Sequence, residues 1–155
     1  CYGQKIEITP NCENAYRNII ALKLDSGSYF ITKETRENPD NKYVFLLENY
    51  INFLRIYCSG ENDKIEEKKA AFDSRIKSIK NIEDFESPLK LYIQAEIQLH
   101  TAVLLVKNNE YFSALFYLRR SLKLLEKNMD LYPNLYKIQI DFPCSSVFAF
   151  ISDIW

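Results

Sequence analysis

Residues 87–133, SPLKLYIQAEIQLHTAVLLVKNNEYFSALFYLRRSLKLLEKNMDLYP, read as two long antiparallel helices. The Ser87 hydroxyl can cap a helix start, and Pro88 suits the first helical position, where no intrahelical N–H is needed. From there to Lys107, Tyr92, Ala95, Leu99, Ala102, Val103 and Val106 recur at the three-and-four spacing of one helix face. Leu89, Ile93, Ile97 and Leu104 make a second stripe beside it, so burial on two sides is expected. Asn108 and Asn109 interrupt the run. Tyr111, Ala114, Leu115, Leu118, Leu122 and Leu125 resume it on a second helix, whose other side carries Arg119, Arg120, Lys123 and Lys127. Pro133 lies beyond its end.

Upstream of this pair the same grammar repeats. Lys5-Ile6-Glu7-Ile8 alternates as an extended lead-in, and Pro10 is expected to stop any helix there, with Asn11 or Asn14 capping the next one. Ala15, Ile19 and Leu22 give a short helix ending near Asp25 to Gly27, and a second runs from about Ser28 to Glu37 before the Asn38-Pro39-Asp40-Asn41 turn. Val44, Leu47, Ile51, Leu54 and Cys58 fall on one face of a third helix, closed by Ser59-Gly60. A fourth, more polar helix spans roughly Asn62 to Ile82 with a narrow stripe of Ile65, Phe72, Ile76 and Ile79; its Lys64–Lys69 charge run is expected to be solvated. After Pro133 the pattern weakens, and Val147–Trp155 is an apolar run suited to a final helix or half of one.

The 155 residues suit one domain with a real core, and a hydrophobic fraction of 47% argues against disorder. Three glycines leave little material for phosphate-cradling loops. Twenty basic and 21 acidic residues give a net charge of −1 spread along the chain, with no footprint for nucleic acid or an anionic membrane surface. No stretch approaches the roughly 18 uninterrupted apolar residues of a transmembrane span, since Lys90, Gln94, Glu96, Gln98 and His100 break the most apolar helix.

Position 1 is not methionine, so Cys1-Tyr2-Gly3-Gln4 is expected to be the tail of a removed export signal, the start of a lipoprotein with a lipid anchor at Cys1, or an arbitrary fragment edge. Of four cysteines, Cys12 and Cys144 are candidates for a bridge in an exported protein, although connectivity cannot be read from sequence, and Cys58 reads as a small buried apolar side chain.

His100 is the only histidine, one turn after Glu96, so the two can meet on one helix face. A zinc site needs two further ligands that no nearby cluster supplies, and no family signature surrounds Cys58 or Cys144 as a nucleophile. A structural histidine is therefore expected, with no metal, no cofactor and no enzymatic activity. Tyr50, Phe53, Tyr111 and Phe112 sit at helical spacing and read as core. The polar residues chosen as partner contacts are Asn49, Asn52, Gln94 and Gln98, on the first helices of the second and third hairpins.

Three successive hairpins, with Pro39 and Pro133 just past the second helix of two of them, resemble a tetratricopeptide (TPR) array. Tyr111, Ala114 and Leu118 match the repeat's aromatic, small and bulky positions, with Ser121 where alanine is preferred and Gly27 replacing the alanine of the first hairpin. Within residues 14–133 the chain is more specifically similar to exported TPR-like proteins of Gram-negative bacterial envelopes. The similar pieces are Asn38–Asn41, Leu47–Leu54, Ser87-Pro88 with Ala95–Ile97, and Glu110–Ala114 leading to Leu124–Glu126. The resemblance implies an all-α fold of antiparallel helical hairpins stacked as a short TPR-like superhelix, and a binding scaffold with no defined reaction. Its contacts would lie on the concave surface lined by first helices. The expected organisation is an extended lead-in or export-signal remnant over 1–11, the helical-hairpin domain over 12–133, and an irregular or partial capping segment over 134–155. The expected role is a noncatalytic protein-interaction or assembly scaffold, periplasmic or envelope-associated, binding a protein or peptide. The alternative is the N-terminal sensory or regulatory part of a longer signalling or transport-associated protein.

Overall fold

In a computed structural model, which describes residues 5–59, 64–82 and 87–133, the chain is all-α. Among the described residues six helices run in order: α1 (Pro10–Ile20), α2 (Leu24–Glu37), α3 (Val44–Ser59), α4 (Lys64–Lys80), α5 (Pro88–Lys107) and α6 (Tyr111–Leu131). The expected tail over 134–155, Cys1 and Cys144 lie outside the described residues.

The helices stack as antiparallel hairpins. α1 packs on α2, α3 on α4 and α5 on α6; the first helices form a row in which α3 touches α1 and α5, and α2 and α4 each also pack on the first helix of the next hairpin. α5 therefore has three neighbours, α3, α4 and α6, and every residue from 93 to 102 is buried. The two sequence stripes understated this, because Gln94, Glu96, Gln98 and His100 are inside as well. α4 contributes Phe72, Ile76 and Ile79 to the core, the described part of its narrow stripe.

Local chemistry fixes the ends. Ser87 accepts a hydrogen bond from the Lys90 amide and Pro88 opens α5, as the sequence indicates. α1 starts differently from expectation. Thr9 is the cap, its hydroxyl oxygen accepting from the Cys12 amide, and Pro10 occupies the first helical position rather than stopping the helix. α2 likewise begins at Leu24, taking Gly27 into its first turns. There the chain needs glycine, since a Cβ on Gly27 would lie 2.7 Å from Ile19 Cγ1 across the α1–α2 crossing.

A buried carboxylate ties the first hairpin to the lead-in. Glu34 accepts from Thr9 Oγ1 at 2.7 Å, Asn11 Nδ2 at 3.2 Å and Asn41 Nδ2 at 2.7 Å. Burial pushes its pKa up, and hydrogen bonds from Asn41, Thr9, Asn11 and Asn38 outweigh that, leaving it below the ordinary carboxylate value. The backbone of Lys5 bridges to the turn beside Asn41.

Two aromatic and cysteine expectations are corrected. Tyr50 and Phe53 are core, but Tyr111 is 57% and Phe112 93% exposed. Among the described helices α6 packs on α5, so Ala114, Tyr117, Ser121, Leu125 and Asn128 are buried and Leu118 is partly buried against the core, while Leu115 and Leu122 of the expected stripe face outward. Cys58 is exposed in the last turn of α3; Cys12 is a buried free thiol that burial pushes upward in pKa.

α1 and α5 end in the same hydrogen-bond motif with different residues in its left-handed position. Lys23 N–H donates to Asn18 O and Leu22 N–H to Ile19 O, with Leu22 at φ 57°. Glu110 N–H donates to Leu105 O and Asn109 N–H to Val106 O, with Asn109 at φ 64°. Asparagine adopts this region at lower cost than leucine. Because Leu22 is 62% exposed and little packing is at stake, Leu22→Gly is expected to stabilise the fold by about 0.5–1 kcal/mol in urea unfolding, and Asn109→Gly by less.

Candidate functional site

The row of first helices encloses a polar cluster between α3 and α5. Asn49 Nδ2 donates to His100 Nδ1 at 2.8 Å, which places the imidazole proton on Nε2. That nitrogen is 3.7 Å from Glu96 Oε2, too far for a hydrogen bond, and has no other partner among the described residues. Glu96 accepts instead from Tyr50 Oη at 2.7 Å. Phe53 stacks on the imidazole with ring centroids 4.5 Å apart, and Tyr50 meets it edge-on at 4.4 Å. Tyr50 in turn meets Tyr16 of α1 at 5.9 Å.

His100 is wholly buried and Glu96 is 3% exposed. Burial drives both toward their neutral forms. It lowers the His100 pKa to about 3, and it raises that of Glu96 against the opposing hydrogen bonds from Tyr50 and Tyr92. An imidazole tuned this low is not poised to exchange protons near neutral pH. The Glu96–His100 proximity read from the sequence is thus an interior contact. Among the described residues no three histidine, cysteine or carboxylate side chains stand close enough to hold a metal ion.

Two grooves open on the other side of the first helices, where α2, α4 and α6 stand apart. One lies between α2 and α4 over α3, with a volume of about 300 Å³. Ser28 and Thr32 line it from α2, Glu48, Asn52 and Arg55 from α3, and Arg75 from α4. Arg75 pairs with Glu48 at 3.5 Å, and Arg55 with Asp25 at 3.3 Å. The second groove lies between α4 and α6 over α5, with a volume of about 310 Å³; Asp73, Lys77 and Lys80 come from α4, Gln98 from α5, and Tyr117 and Arg120 from α6. A further hollow of about 250 Å³ continues it past Lys80 to Gln94 and Lys127.

The four polar residues chosen from sequence therefore separate. Asn49 is 0% exposed and holds His100. Gln94 is buried, its Nε2 donating to Lys90 O at 3.2 Å. Asn52 is half-buried in the α2–α4 groove, and Gln98 forms part of the α4–α6 groove floor. The cations around Gln98 were missed as a set. Lys77 and Lys80, three apart on α4, face the basic side of α6, and that spacing is the only signal the sequence offers.

No protein-family model, curated protein or solved structure matches this chain.

The interior histidine makes a signed pH prediction. The unfolded imidazole takes up a proton below about pH 6.5 while the folded one does not until about pH 3. Its contribution is fully present above 6.5 and is lost as the pH falls through that window. Glu96, raised, acts in the opposite sense, its contribution being lost as pH rises. Between pH 7 and pH 5 the parent should lose about 2 kcal/mol through His100, and His100→Gln should remove most of that slope in denaturant titrations at the two pH values.

Proposed function

We propose that this chain is a noncatalytic scaffold that binds a protein or peptide partner in the grooves between successive second helices of its stack. One observation carries the reading: the α4–α6 groove, about 310 Å³, is lined mostly by polar side chains, all but the rim residue Asn81 held on α4, α5 and α6. Sites built on rigid elements present groups in fixed places, and little ordering is needed when a segment enters. The single histidine sits in the core with its pKa pushed down to about 3, which agrees with binding rather than proton-transfer chemistry. Asn52 and Gln98 are the contact residues in this reading; Asn49 and Gln94 support the helices that carry them. No helix of the described residues is long and apolar enough to cross a membrane. The TPR-like resemblance and an envelope location, with or without a lipid anchor at Cys1, belong to the same proposal and rest on the sequence similarities alone.

Selection from a random octapeptide display library against the full chain should converge on a family of binders. Asn81 lines the α4–α6 groove from its exposed rim, so Asn81→Trp should fill the entrance and weaken those binders by at least about tenfold without lowering the unfolding midpoint. A library that fails to converge, or binders indifferent to Asn81→Trp, would contradict the proposal.

A further inference from the structure

The α4–α6 groove contains a buried group that the fold does not use. Gln98 is 3% exposed, and among the described residues its Oε1 accepts no hydrogen bond. A buried acceptor without a donor is destabilising, and folded interiors hold few of them. Leucine, similar in volume and with nothing to satisfy, would serve packing better. Unlike the orphaned His100 Nε2, which is enclosed between α3 and α5, the Gln98 side chain lines a groove, where a donor from outside the chain would complete it.

Its surroundings say what else that donor would carry. Lys77 and Lys80 on α4 and Arg120 on α6 line the groove, and among the described residues none of the three pairs with a carboxylate. Arg120 is steadied over the Phe116 ring at 4.1 Å. The one acid of the lining, Asp73, accepts from Tyr117 Oη at 3.1 Å on each carboxylate oxygen. Three cations therefore stand against one carboxylate that already has a donor.

The shape favours a strand of peptide over a compact ion. The groove and the next hollow share Lys80, and their floor amides, Gln98 and Gln94, are one helical turn apart on α5. Four helical residues rise about 6 Å, and two residues of extended chain rise about 6.6–6.8 Å. An extended chain thus brings every second peptide unit near a floor amide, whereas a free oxyanion occupies one hollow.

We infer that this groove binds an extended acidic peptide segment. A main-chain N–H of the segment donates to Gln98 Oε1, and its aspartate or glutamate side chains accept from Lys77, Lys80 and Arg120. The inference rests on the scaffold reading and adds the chemistry of its partner.

The library selection on the full chain tests the two separately. Acidic binders should be enriched, and the combined Lys77→Gln, Lys80→Gln, Arg120→Gln variant should bind them at least about tenfold more weakly. Gln98→Leu should weaken the same peptides while leaving the thermal midpoint unchanged or raising it by about 2–4 °C, a combination that a structural glutamine would not give. Convergence on neutral or basic peptides that still lose binding to Asn81→Trp would overturn the acidic specificity and leave the scaffold standing. Binding unchanged in the charge variant, or peptide displaced by millimolar inorganic phosphate, would also overturn it. Failure to converge at all would remove both.

Discussion

The burial of α5 is the constraint on which the rest of the structure depends. Packed by α3, α4 and α6, this helix has no solvent face from residue 93 to residue 102, yet four of those ten positions are Gln94, Glu96, Gln98 and His100. Polar groups in such a place need partners or neutral forms. The neighbouring helices supply them unevenly. Asn49 and Tyr50 of α3 hold His100 and Glu96, and the Lys90 carbonyl holds Gln94. Gln98 Oε1 and His100 Nε2 are left without partners among the described residues, and of the two residues Gln98 is the one that lines a groove. The difference between an interior polar cluster and a candidate site thus comes down to which sides of one helix are covered.

The same packing explains the asymmetry of the outer helices. Among the described helices α6 packs on α5 and reaches α4 through the Tyr117–Asp73 hydrogen bonds, so one narrow face is buried and large apolar side chains such as Phe112, Phe116 and Met129 stay exposed. Because α4 and α6 pack on α5 without closing on each other, a groove remains between them, with charged side chains along both walls. A groove floored by the most buried helix keeps its dimensions, since moving that floor would disturb the core contacts of Ile93, Ile97, Leu104 and Leu105.

Much of the fold was legible in residues. The Ser87-Pro88 start, the Asn108-Asn109 break and the Asn38–Asn41 turn are local signals with local causes, and the structure has them where the sequence puts them. Pro10 misled because proline marks both a stop and a first turn; Thr9 before it, with a hydroxyl able to cap, was the deciding residue. Tyr111 and Phe112 misled because helical spacing reports a face but not how many neighbours cover it. The site was less legible. Asn49, Gln94 and Gln98 look alike on a helical repeat, and their fates depend on α3, α4 and α6, which are distant in sequence. Lys77, Lys80 and Arg120 read singly as solvated charge and gain meaning only when α4 and α6 stand on either side of Gln98.

The most direct test of α5 as the centre of the stack is native-state hydrogen exchange read amide by amide. Amides 93–102 should exchange only through global unfolding, with protection free energies equal to the unfolding free energy, and α6 should open locally at lower cost. Exchange in 93–102 as fast as in α6, or faster, would mean that α5 is not the covered floor described here, and the groove above it would lose its foundation.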